Sequence, residues 1–129
     1  MRVTRRVRRR LLVALVVYAA LLALVLLAPS SGIQSAMASW ISDLGISQAQ
    51  AEFVGNVLIV APLTAACALA WPRTAWWTWT AGAFVLASAV EIVQAVVLPD
   101  RTASYVDVIA NTLGGLVGAA LVVAWRRVR

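Results

Sequence analysis

Four long apolar stretches, punctuated by proline, tryptophan and arginine, most constrain what this chain can fold into. Leu11–Ala28 ends at Pro29, Ser30, Ser31 and Gly32. Phe53–Ala70 contains Pro62 and closes at Trp71-Pro72. Trp76–Val97 closes at Leu98-Pro99, and Val106–Trp125 runs into Arg126 and Arg127. Each stretch is close to the roughly 20 apolar residues a helix needs to cross a bilayer. The chain is 63% hydrophobic and 12% charged, whereas soluble domains are nearer half apolar and a quarter charged. The expectation is an all-α integral membrane bundle of four transmembrane helices, with spans of about 11–28, 53–70, 76–97 and 106–125. One domain over 1–129 accounts for the length. Short connections after the second and third spans predict that the last three helices alternate in direction.

Charge sets the expected orientation. Arg2, Arg5, Arg6, Arg8, Arg9 and Arg10 precede the first span, Arg73 lies in the second connection, and Arg126, Arg127 and Arg129 follow the last span. An even number of spans puts all of these on one side and only Arg101 on the other. Basic flanks stay cytoplasmic, so both termini are expected on the cytoplasmic side of the membrane. Trp71, Trp76, Trp77, Trp79 and Trp125 then gather near the cytoplasmic interface, where amphipathic rings are favoured. An arginine-rich start followed by an apolar run and Ala36-Met37-Ala38 also has the look of a secretory signal. The run is long for that, and the cleavage-like triplet lies well past its end, so a retained anchor is expected. Ser47 and Gln50 have the spacing of a capping box and predict that the second helix starts ahead of its apolar run.

The net charge of +6 belongs to these flanks and does not imply nucleic acid as a partner. A single Cys67 excludes an intrachain disulfide. The absence of histidine removes the commonest metal ligand and general base, and no metal or cofactor is expected.

Against this background the polar residues of the apolar runs stand out. An ionisable group at mid-span costs roughly 2.5–3.5 kcal/mol on insertion scales, so it calls for a functional explanation. With the topology fixed, Glu91 falls about 10 Å below the outer end of the third span, and Gln94 one turn above it. Asp107 falls at the outer start of the fourth span, and Asn111 about 6 Å deeper. Asn56 lies near the outer end of the second span, and Arg101 in the outer loop. These six residues, scattered in sequence, are gathered by topology at one level. Glu91 and Gln94 share a face. Asp107, Asn111, Gly114, Gly118, Leu121 and Trp125 form another stripe, in which Gly114 and Gly118 are a small-xxx-small pair suited to close helix approach. The third and fourth helices are expected to pack closely, with the polar groups facing inward. Pro62 is expected to kink the second helix and to deprive the Leu58 carbonyl of its donor.

Each feature also has a plainer reading. Asn111 and Gln94 serve equally well as interhelical hydrogen-bond glue, worth about 0.6 kcal/mol on average. The glycines suit packing alone, Arg101 suits loop closure, and Glu91 suits a structural pair with Arg101.

The set Glu91-x-x-Gln94, Leu98-Pro99-x-Arg101 and Asp107-x-x-x-Asn111-Thr112-x-Gly114, with Asn56-Val57-Leu58 and Pro62-Leu63 upstream, resembles the VanZ-like family of small bacterial membrane proteins. The resemblance covers residues 56–118. It departs from the family pattern at Val60 and Thr64, where a phenylalanine-like residue and a glycine are expected. The family takes its name from a member linked to resistance to the glycopeptide teicoplanin, so the resemblance implies a cell-envelope setting. In that setting the six-residue cluster would hold the head group of a lipid-linked wall precursor or a cell-surface partner, with Arg101 on phosphate and the acids on sugar or amide hydrogens. Two other classes compete: an intramembrane transferase or hydrolase using Glu91 and Asp107 as base and acid, and a proton-coupled transporter titrating at Glu91. The first lacks an evident nucleophile beyond Ser88, Ser104, Tyr105 and Thr112. The second lacks polar groups lining the inner half. Membrane lipids are the expected surroundings, and the glycine stripe leaves a homo-oligomer open.

Overall fold

The computed structural model describes residues 4–27, 43–97 and 103–128. Among these are four α-helices: α1 Arg5–Leu27, α2 Gln48–Ala70, α3 Trp76–Val97 and α4 Tyr105–Arg127. The Ala36-Met37-Ala38 triplet and Arg101 lie outside the described residues. The last three helices, of 23, 22 and 23 residues, are long and apolar enough to cross a membrane. At 1.5 Å per residue each spans about 33–35 Å, against a hydrocarbon core of about 30 Å.

Local chemistry sets where the helices begin. The Ser47 hydroxyl accepts the Gln50 amide at 3.3 Å, while the Gln50 side chain accepts the Ser47 amide at 3.0 Å. This reciprocal pair satisfies two of the amides a helix start leaves open, and it starts α2 five residues ahead of its apolar run. At the start of α4 the Ser104 hydroxyl accepts the Asp107 amide at 3.3 Å. Asp107 also places a negative charge in the first turn, where the helix dipole favours it.

Helix α4 is the hub: it packs most extensively on α2 and next on α3, while α1 lies against α2. The contacts give the directions. Asn56 meets Asp107, Val57 faces Gly114, Ala61 faces Gly118, and Ala68 meets Arg126. Both sets of numbers rise together, so α2 and α4 run parallel. Ala83 faces Gly115 and Glu91 meets Ser104, so α3 runs against them. Arg8 lies over the Trp71 ring, 5.8 Å from its centroid, and the Tyr18 hydroxyl reaches the Ile59 carbonyl at 2.8 Å. Helix α1 is therefore antiparallel to α2, and the first and last described helices bring their chain ends to the same end of the bundle.

The expected glycine packing needs a correction of partner. Helices α3 and α4 do approach closely, but through Gly115, where a Cβ would lie 2.5 Å from that of Ala83. The Gly114 and Gly118 pair faces α2 instead. A Cβ on Gly114 would fall 2.6 Å from the Val57 carbonyl oxygen, and one on Gly118 would overlap the Ala61 carbonyl oxygen and the Thr64 hydroxyl. Adjacent glycines at 114 and 115 point about 100° apart on a helix, which is how one segment serves two neighbours.

Size grades from inside to outside. The buried positions include Ala51, Ala68, Ala70, Ala83, Ala87, Ala110 and Ala119, together with Val122 and Thr64. Phe84, Leu86, Ile92, Ile109, Leu113 and Leu121 are exposed. In water this would be an exposed apolar surface far beyond the usual patch. In a bilayer it is the expected arrangement, because lipid tails cover large side chains and small residues let backbones approach.

Pro62 sits within α2, where its ring removes the donor for the Leu58 carbonyl and crowds the preceding turn. The hydroxyl of Tyr18 donates to the next carbonyl, that of Ile59. This bond joins α1 to α2 beside the proline, but it does not replace the donor that the Leu58 carbonyl loses.

Candidate functional site

At the end of the bundle opposite the arginines, three helix ends meet: the start of α2, the end of α3 and the start of α4. The Asn56 side-chain amide donates to Asp107 Oδ1 at 2.9 Å, joining α2 to α4. Both side chains are half-buried. Glu91 is only 7% exposed and Gln94 only 2%. Glu91 Oε2 accepts the backbone amide of Ser104 at 2.7 Å, the residue whose hydroxyl caps α4. Asn111 is half-buried on the same helix as Asp107, one turn further in.

The network is continuous. Glu91 holds the amide of Ser104, Ser104 holds the amide of Asp107, and Asp107 holds the side chain of Asn56. Three helices are tied by three hydrogen bonds, two of them to carboxylates, which make the stronger bonds. The network brings Asn56, Glu91 and Asp107 together, and Gln94 and Asn111 lie about one turn from Glu91 and Asp107 on the same helices. Arg101 lies outside the described residues. Ser104 is the member whose role in tying the cluster the sequence reading missed. The S-x-x-D spacing of Ser104 and Asp107 before an apolar run is the signal that marks it.

Each carboxylate has two oxygens, and an ionised carboxylate accepts up to about four hydrogen bonds. Among the described residues Glu91 accepts from Ser104 and Asp107 from Asn56, and carboxylates so placed are suited to hydroxyl or amide donors. Of the hydroxyls considered as nucleophiles, those of Ser88, Ser104 and Thr112 are engaged locally. Ser88 donates to the Phe84 carbonyl at 2.9 Å and Thr112 to the Val108 carbonyl at 2.7 Å. Ser104 caps α4, and Tyr105 is 79% exposed. Among the described residues no group of three or more histidine, cysteine or acidic side chains is placed to hold a metal ion.

About two turns along α2 from Asn56, Thr64 occupies the place where the resemblance implied a glycine. It is 6% exposed, and its hydroxyl lies 3.1 Å from both the Val60 and Ala61 carbonyls and 3.5 Å from the Gly114 carbonyl. The departure is absorbed locally: the hydroxyl is satisfied within α2, and Gly118 opposite leaves it room.

A family model described as VanZ/LLP1 matches residues 11–126. The chain belongs to that family, and the match reaches well beyond residues 56–118 to take in α1. No curated protein and no solved structure is detectably similar. Together with its three membrane-length apolar helices, this makes the chain a VanZ-like membrane protein.

Proposed function

We propose that this protein sits in the bacterial plasma membrane as a four-span bundle with both termini in the cytoplasm. Its outer polar cluster binds the head group of a lipid-linked wall precursor and thereby influences susceptibility to glycopeptides of the teicoplanin type. One observation carries the reading: Glu91 and Asp107, from different helices, meet in a single network with Asn56 at one end of an otherwise apolar bundle. A carboxylate buried in lipid is costly, and packing alone could be served by an amide. The match beginning at residue 11 supports retention of α1 as the first span, and the arginine bias supports the orientation. The acid–base and proton-carrier readings gain no observation of their own.

The test is glycopeptide susceptibility of a deletion strain complemented with the wild-type gene, Glu91→Ala or Asp107→Ala. Each variant is expected to fail to restore the wild-type phenotype while reaching the membrane at normal levels. Full complementation by both would remove the cluster from function.

A further inference from the structure

At the opposite end three arginines from three distant segments converge on one turn. Trp71, Pro72 and Arg73 form the connection between α2 and α3. Arg8, from the first turn of α1, lies over the Trp71 ring at 5.8 Å. Arg126, from the last turn of α4, donates to the Pro72 carbonyl at 3.5 Å and to the Ala68 carbonyl at 2.5 Å. Arg73 follows Pro72 directly and is exposed.

Three like charges gathered at one turn repel one another. The described acids offer no relief, because Glu91 and Asp107 lie in the polar cluster, Glu52 in the first turns of α2, and Asp43 ahead of that helix. Arg8 and Arg126 are held in place, and Arg73 is exposed beside them in the chain. A guanidinium has five N–H donors in a planar fork. Arg126 directs two nitrogens at carbonyls, and the Arg8 guanidinium lies over the Trp71 ring, a contact that does not itself consume its N–H donors. Such forks match phosphate oxygens in a bidentate way. The surroundings choose among phosphate sources. Exposed Trp76 and Trp77 open α3 just after Arg73, and tryptophan marks the depth of the lipid head groups.

The geometry points to a binding site for the phosphate of an anionic phospholipid, formed by Arg8, Arg73 and Arg126. The site is separate from the polar cluster and does not depend on what that cluster binds. Its ligand chemistry is a lipid phosphodiester, held at the interface by arginine forks while its acyl chains lie along the apolar faces below.

The full-length protein, purified and placed in phosphatidylcholine nanodiscs, is titrated with phosphatidylglycerol, with inorganic phosphate or with a soluble polyanion. Bound lipid is counted by native mass spectrometry after gentle release. The wild type is expected to retain phosphatidylglycerol at least tenfold over phosphatidylcholine. The R8Q/R73Q variant is expected to lose most of that preference, and R5Q/R6Q, with the same charge removed a turn or less away, to keep it. Arg73→Gln alone alters only an exposed turn and serves if the double variant does not fold; a severalfold loss is expected of it. Equal losses in R8Q/R73Q and R5Q/R6Q would show diffuse attraction and overturn the site. Displacement of the lipid by inorganic phosphate or by the polyanion at similar concentration would overturn the assignment to lipid.

Discussion

Glu91 has an observed structural role and a proposed binding role in one side chain. Its Oε2 accepts the Ser104 amide at the entry to α4, and in the function proposed above the same carboxyl group meets the ligand. Glutamine separates the two, because its carbonyl oxygen can accept the same amide but carries no charge. Glu91→Gln is expected to leave thermal unfolding in detergent within about 1 kcal/mol of wild type. Glu91→Leu, which leaves the amide unsatisfied, is expected to cost about 1–3 kcal/mol. Equal destabilisation by both would mean that the charge itself holds the fold. Asp107 divides in the same way, since it accepts from Asn56 and also complements the α4 dipole. These residues were legible as candidates because acids and amides are conspicuous in apolar sequence. Their partners were not. A backbone amide such as that of Ser104 has no signature in composition, and Tyr18 reads as one more aromatic until Ile59 is placed beside it.

At the level of elements, the helix bounds were readable from apolar runs and caps. The third span appears as the same residues, 76–97, and the Ser47–Gln50 box starts α2 where its spacing placed it. Which helix meets which was less readable. Glycine spacing says that something approaches closely, but not from which side. Gly114 and Gly118 serve α2, whereas the expected α3 contact falls to Gly115. Gly118→Ala is expected to destabilise by about 1–3 kcal/mol, because its methyl group would meet backbone that cannot move away cheaply. Gly115→Ala is expected to be destabilising alone and largely rescued by Ala83→Gly, which removes the single close contact, less the roughly 1 kcal/mol cost of a helical glycine. Thermal unfolding of the four variants and wild type in one detergent checks both. An absence of rescue would place the Gly115 contact elsewhere.

Seen as a whole, the molecule is polarised along its axis. Among the described residues, acids and amides gather at one end, arginines and tryptophans at the other, and a small-residue interior runs between them under a coat of large apolar side chains. The charge bias predicts which end is which. A fusion of green fluorescent protein to the C-terminus is expected to fluoresce and an alkaline phosphatase fusion to be inactive; the reverse would invert the topology and turn the polar cluster inward. The orientation matters because the cluster can meet an outer-leaflet ligand only from outside. Function was the least legible property. Family and composition indicate a membrane setting, but the proposed binding cluster is assembled from three helices, and that assembly appears only once the helices are packed.

The most direct test of the central proposal is retention of a lipid-linked wall precursor by the purified protein, measured by native mass spectrometry for wild type and Glu91→Gln. Retention is expected to fall at least tenfold in the variant, with its unfolding temperature little changed. Equal retention by the two proteins would contradict the account and leave the cluster as a device that pins three helices together.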